Sequence, residues 1–382
     1  MHYPYFDTST IVLYSVVGTI CMLSVHIAKS SKHYDYKQTI LGLSMMIGTL
    51  VLFAALRKIG LHLGGEDSQR YEEAFINFYN HGADRYEDTD ILFGYLTGTL
   101  RFFTDSAIVY RICCYGIIAF GYAYFIRYIC PNGVSSIPFI CILFPFMRSL
   151  NTMRSSIAMS LFLICLVCLY QRKIMWCIIW ACAAVFMHRL TLVMLSFFPF
   201  YLLFRNYITK ASRIKFVLFT ITFILLSYIV AVQLQKYIML LALFEDNGNA
   251  DLWYLTNKQG ANILLNWPMY IVHMLLFMCI IILYKQLPDS KEVAFLKIIF
   301  VCDIIILPAS LVLGMWRFAE YLYIPNLILW GILIESITHL LTRNSSYIVK
   351  GCFLMGFYGL MIIRLTREWE DAALMPYLFI WN

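Results

Sequence analysis

Apolar runs long enough to cross a bilayer recur from Thr10 to Ile363, and they constrain the fold more than any other feature. A spanning helix needs ~20 such residues, because every backbone N–H and C=O must be satisfied inside the segment. The runs cover 10–28, 39–56, 106–126, 134–148, 155–170, 174–187, 190–204, 216–235, 267–284, 294–313, 318–337 and 347–363. They predict an all-α, polytopic membrane helix bundle of about 12 transmembrane helices, with a range of about 10–13. Residues 1–382 read as one integral membrane domain. Two polar intervals interrupt the pattern, 57–105 and 236–266. Inside the first, Ile91 to Phe103 is too short and mixed to span, and reads as an interfacial or re-entrant helix. Charged residues make up 13% of the chain and hydrophobic residues 61%, whereas a soluble domain carries roughly a quarter charged residues.

The net charge of +7 is expected to serve orientation and does not point to nucleic acid. Lys29, Lys32 and Lys37 lie between the first two runs; Arg172 and Lys173 between the fifth and sixth; Arg205, Lys210, Arg213 and Lys215 between the seventh and eighth; Lys285, Lys291 and Lys297 around the turn between the ninth and tenth. Twelve crossings put all of them on one side, the cytoplasmic one. Both polar intervals and both termini then face outward. On that outer half the bases are nearly all arginine: Arg57, Arg70, Arg85, Arg101, Arg111, Arg148, Arg154, Arg189, Arg317, Arg364 and Arg367, against Lys58, Lys236 and Lys258. A planar guanidinium suits a bidentate grip on phosphate or carboxylate, which orientation alone does not require.

The chemistry-bearing residues gather in a few places. Gly64 to Glu73 opens the first polar interval, and in it Asp67 and Tyr71 have the i, i+4 spacing that puts both on one helix face. Glu66, Asp67 and Glu73 offer carboxylates for general-base work. Arg148 and Arg154 flank Ser149 to Met153 at a membrane boundary, and Ser155 to Ser160 is a run of small residues that permits close helix approach. His188 and Arg189 tip a tight hairpin, where ionisable residues at membrane depth point to function. Arg317 begins a run, with Glu320 and Tyr321 one turn on. Asp303 sits mid-run, costly without a partner, with Pro308 about a turn later.

Most of the twelve cysteines lie in apolar runs and read as packing thiols; no CxxC pair exists. Asp88-Thr89-Asp90 is only a loop pair of carboxylates, and no metal or cofactor is expected from it. Walker, GxGxxG, HExxH and GxSxG motifs are lacking, which disfavours nucleotide-driven transport and zinc proteolysis.

Taken in order, Asp67-x-x-x-Tyr71, an acidic residue shortly before Gly94-Tyr95, Arg154-Ser155-Ser156-Ile157-Ala158, Phe186-Met187-His188, Arg317-x-x-x-Tyr321 and Met375-Pro376-Tyr377 resemble the EpsG-like branch of bacterial polysaccharide polymerases, which includes O-antigen polymerases of the Wzy type. Glu87, Asp88 and Asp90 compete for the acidic position, and Ser155 stands where such proteins often carry Gln. The resemblance implies a GT-C-like integral glycosyltransferase of the bacterial inner membrane without a cofactor. It would join undecaprenyl-diphosphate-linked oligosaccharides, as donor and acceptor, at the periplasmic face, in company with membrane lipids and a chain-length regulator protein. Arg148, Arg154 and Arg317 would hold the pyrophosphate, Tyr71 and Tyr321 would line the site, and Asp67 or His188 would take the acceptor proton, which leaves Glu66, Glu72 and Glu73 as solvated charges. The rival readings are a flippase for lipid-linked sugars, an O-antigen ligase and a membrane O-acetyltransferase. One-sided arginines disfavour the first, and the outer placement of His188 disfavours the last.

Overall fold

A computed structural model describes residues 7–30, 35–59, 66–79, 90–150, 152–244, 259–312, 320–367 and 377–380. Side chains are described at those positions except 66, 148, 237–244, 259–270, 309, 311, 366 and 367. The helices in chain order begin with α1 (Thr8–Lys29), α2 (Tyr36–Ala55), α3 (Glu66–Ile76), α4 (Ile91–Phe103) and α5 (Ala107–Ile129). A 3-10 segment (Ile137–Ile142) then leads into α6 (Leu143–Ser149), α7 (Met153–Tyr170), α8 (Ile174–Met187) and α9 (Thr191–Met194). The rest are α10 (Phe197–Lys210), α11 (Arg213–Phe244), α12 (Gln259–Ile282), α13 (Lys291–Val312), α14 (Tyr323–His339) and α15 (Arg343–Arg367). Among the described residues, 7 helical segments are long and apolar enough to cross a membrane, and the chain is a polytopic helical membrane protein. It forms two compact units, 1–195 with 338–382, and 196–337.

In the first unit α1 and α2 form a hairpin. The carboxylate of Asp7 accepts from the Thr10 N–H and that of Asp35 from the N–H groups of Lys37 and Gln38, so each helix starts on a capped turn. The two helices touch at Gly42, where an added Cβ would lie 2.3 Å from the Ser24 carbonyl oxygen. The same device brings α5 onto α7: a Cβ on Gly121 would meet Ser160, whose hydroxyl donates to the Ile118 carbonyl at 3.0 Å. The small-residue run after Arg154 does allow close approach.

Helix α7 is apolar all round and 89% of its span is buried inside the protein, whereas 11% of the span in α11 is. The first is shielded by other helices; the second leaves its apolar surface exposed, as a lipid-facing helix would.

The run 134–148 was expected to be one span. It is instead a 3-10 segment joined to a short helix, with Pro138 near its start and Pro145 in α6. Proline removes a helical donor and clashes with the preceding turn, so a regular helix is not sustained here. The broken stretch still traverses the unit. The Gly133 N–H donates to the Lys29 carbonyl at one end, and the Leu150 carbonyl accepts from the Ser68 hydroxyl at the other. Irregular backbone at membrane depth is tolerated where protein covers it, and Phe139 to Met147 are buried wherever their side chains are described.

Residues 377–380 return to the start of the unit. Phe379 forms an isolated antiparallel bridge with Arg57, the Lys58 N–H donating to the Leu378 carbonyl at 2.8 Å and the Ile380 N–H to the Leu56 carbonyl at 3.0 Å. The Tyr377 ring stacks on Phe53 at 4.9 Å, and its hydroxyl donates to the Phe53 carbonyl.

The interval 236–266, expected to be a polar loop, is helical at both ends, since α11 runs to Phe244 and α12 starts at Gln259. Residues 245–258 lie outside the described part. Asp303 finds its partners in the second unit. Its Oδ2 lies 3.0 Å from His273 Nε2 and accepts from Asn326 Nδ2 at 2.5 Å, tying α12, α13 and α14 together at a buried point.

Candidate functional site

Three helix ends meet in the first unit. Asp90 is the residue before α4; its backbone carbonyl accepts the Phe93 and Gly94 N–H groups at 3.1 and 3.2 Å. An aspartate in this position ordinarily turns its carboxylate onto the helix's own first N–H groups. Here the carboxylate makes no such bond. It reaches Arg154, in the first turn of α7, with Nη1 2.6 Å from Oδ2. His188 ends α8 in an extended conformation, its backbone N–H held by the Ala184 carbonyl, and its Nδ1 lies 3.9 Å from Asp90 Oδ1. The guanidinium of Arg154 lies over the ring of Tyr71, 5.9 Å from its centroid, and Tyr71 meets Phe93 edge-on at 5.2 Å.

Asp90 and His188 are buried, to 4% and 9% exposure, while Arg154 and Tyr71 are partly exposed. The cluster is also under-filled. Among the described residues Asp90 Oδ1, Arg154 Nε and both ring nitrogens of His188 are buried without a hydrogen-bond partner. Buried polar atoms are nearly always paired, so four open valences in one cluster mark a place built to receive something polar. The arrangement combines a cation for an anionic group, an imidazole for a proton, and a carboxylate between them.

A second layer holds α3, and Tyr71 with it, against the bundle. Arg111 of α5 donates Nε to Glu72 Oε2 at 3.0 Å and Nη2 to Oε1 at 2.9 Å, while Nη1 donates to the carbonyls of Ala55 and Arg57 at 3.2 and 2.6 Å. Glu72, expected as a solvated charge, is therefore a structural partner, because a buried arginine needs a counter-ion. Glu73 is exposed and accepts from Gln69 Nε2 at 2.8 Å. The arginine excess also divides: Arg111 is spent on Glu72, Arg101 pairs with Asp105, and Arg364 lies over the Phe144 ring.

Of the residues chosen from the sequence, Arg154, His188 and Tyr71 stand together. Asp67 shares α3 with Tyr71, half-exposed, 3.9 Å from Arg70. Arg148 lies in α6, its side chain outside the described ones. Tyr321 is buried in the second unit. Arg317, Glu87, Asp88, Met375 and Pro376 lie outside the described residues. Asp90 is one of three residues that the sequence offers for an acidic motif position, and nothing there singles it out as a site residue. Its position directly before an apolar helix was visible, but that signal ordinarily means a cap.

Fold and site together define a polytopic membrane protein with a buried carboxylate–guanidinium–imidazole cluster where helix ends converge. The chain belongs to the EpsG family, whose model matches residues 40–379. EpsG-like proteins are similar to Wzy-type polymerases, and the activity at this level is that of a membrane polysaccharide polymerase, a glycosyltransferase. No curated protein and no solved structure matches the chain.

Proposed function

We propose that the chain polymerises undecaprenyl-diphosphate-linked oligosaccharide repeat units into O-antigen or a related surface polysaccharide, at the periplasmic face of the bacterial inner membrane. The observation that carries the reading is the meeting of Arg154 and His188 at one buried carboxylate, with open valences on all three residues. Arg154 would hold the diphosphate of the donor and stabilise the charge that grows on it as the sugar leaves. His188 would take the proton from the acceptor hydroxyl. Tyr71 would flank the guanidinium. Arg148 would extend the grip on the donor, and Asp67 would line the approach. The apolar sides of the bundle would receive the polyprenyl tail from the lipid.

The basic turns support the orientation: Lys29 donates to the Arg127 carbonyl at 3.0 Å, so the loop after α1 and the end of α5 meet at the end of the unit opposite Asp90. The reading takes about twelve crossings and a GT-C-like arrangement; 7 long apolar helical segments among the described residues support it, with the shorter apolar helices at 137–147, 174–187 and 271–282 as candidates for further passages. A chain-length regulator would act from outside this chain.

Deletion of the gene tests the function. Loss of a polymerase leaves single repeat units on the surface. Long chains retained on undecaprenyl lipid would instead mark a ligase, and units trapped inside the cell a flippase.

A further inference from the structure

We infer that Asp90 is a positioning residue that couples diphosphate binding to formation of the base: it holds Arg154 in the empty site, and a bound diphosphate releases it to orient His188. This rests on the proposed polymerase reading and adds an order of events to it.

The carboxylate is divided between two partners. Oδ2 is engaged with Arg154 at 2.6 Å; Oδ1 is buried, unpartnered among the described residues, and 3.9 Å from His188 Nδ1. That gap is too long for a hydrogen bond and short enough for a rotation of either side chain to close. His188 has no partner on either nitrogen, so nothing among the described residues fixes its tautomer. Asp90 also has no duty as a cap that would hold it back.

A diphosphate carries more charge than a carboxylate and matches the guanidinium fork with more than one oxygen. On entering, it displaces Asp90 from Arg154. A buried carboxylate stripped of its cation must find a donor, and His188 Nδ1–H is the near one. Once Nδ1–H is donated to Asp90, the lone pair is on Nε2, free for the acceptor. In the transfer the acceptor oxygen forms the bond to the sugar anomeric carbon, and its proton passes to Nε2. The bond from that carbon to the diphosphate oxygen breaks, its electron pair leaving with undecaprenyl diphosphate on Arg154. The base is thus assembled only when a donor is loaded.

The test uses the full chain in detergent with undecaprenyl diphosphate as probe, and polymer length in cells as the activity. Asp90→Asn removes the competitor for Arg154, so probe affinity should rise roughly 5-fold, while polymer formation falls about 100-fold or more. A merely structural Asp90 would lower both. Arg154→Gln should lose the probe, and His188→Ala should bind it more weakly than the wild type, because the displaced Asp90 then finds no donor. The second measurement needs no variant at Asp90: nitrogen NMR of histidine-labelled wild type, with His188 assigned by its loss in His188→Ala. Adding the probe should fix the Nδ1–H form of His188. Probe binding with no change at His188, or an Asp90→Asn protein that binds no tighter, overturns the coupling and leaves the polymerase reading standing. A wild type that does not bind the probe overturns that reading and the coupling with it.

Discussion

Arg111 and Glu72 form a two-pronged ion pair between α5 and α3, and the third arm of the same guanidinium ties down the carbonyls at the end of α2. One arginine therefore fixes the short polar helix that carries Tyr71. Removing one partner of such a pair leaves the other charge buried and uncompensated. Glu72→Ala should destabilise the protein by about 3 kcal/mol, read as a lower Tm in detergent, and should weaken polymer formation through the displaced α3. Glu73→Ala, one residue on and exposed, should change neither.

The close helix contacts give a sharp contrast among glycines. A Cβ at Gly42 would meet backbone atoms of Ser24 and Ala28, while a Cβ at Gly48, on the same helix, meets nothing within 4 Å. Gly42→Val should force α1 and α2 apart and prevent recovery of folded protein. Gly48→Ala should stabilise by roughly 0.5–1 kcal/mol, since glycine is a poor helix former. Recovery of folded protein in detergent checks the first, and thermal unfolding of purified Gly48→Ala checks the sign of the second.

The Tyr377 segment closes over the Tyr14 and Phe53 rings. Burial pushes the Tyr377 hydroxyl above its usual range, so it stays a donor throughout ordinary pH. Tyr377→Phe should cost about 1–2 kcal/mol by orphaning the Phe53 carbonyl, and Tyr377→Ala about 3 kcal/mol or more by opening the aromatic cluster. Hydrogen exchange at Lys58 and Ile380, whose N–H groups close the bridge, should speed up in the Ala variant first.

In the second unit, Asp303→Ala leaves His273 and Asn326 facing a gap and should cost about 3 kcal/mol. Replacing Asp303, His273 and Asn326 together by leucine should recover most of that loss, because a well-packed apolar trio needs no compensating charge. Tm values of the single and triple variants measure the difference.

The polytopic membrane class was legible because lipid imposes one rule, a run of apolar residues, and seven of the twelve expected runs are helices long and apolar enough to cross among the described residues. Arg154 and His188 were legible for a related reason: each interrupts or opens such a run. The break in 134–148 was less so, because Pro138 and Pro145 sit in a stretch whose apolar content alone satisfies the span rule. Glu72 misled because charge in a polar interval looks solvated until a partner 39 positions on is known to be buried beside it. Asp303 could be seen to need a partner, but the partners come from two other helices, and single-sequence periodicity does not pair helices. Asp90 shows the same limit. Its neighbours in the site lie on α7 and at the end of α8, and only the convergence of those ends tells a carboxylate shared by a site from a cap.

The central claim is that this convergence extends polysaccharide chains. The most direct measurement is surface polymer length in a deletion host carrying Arg154→Ala or His188→Ala, with membrane insertion of each variant verified. Single repeat units in both are expected, with the wild-type gene restoring long chains. Normal long chains in both variants would contradict the account.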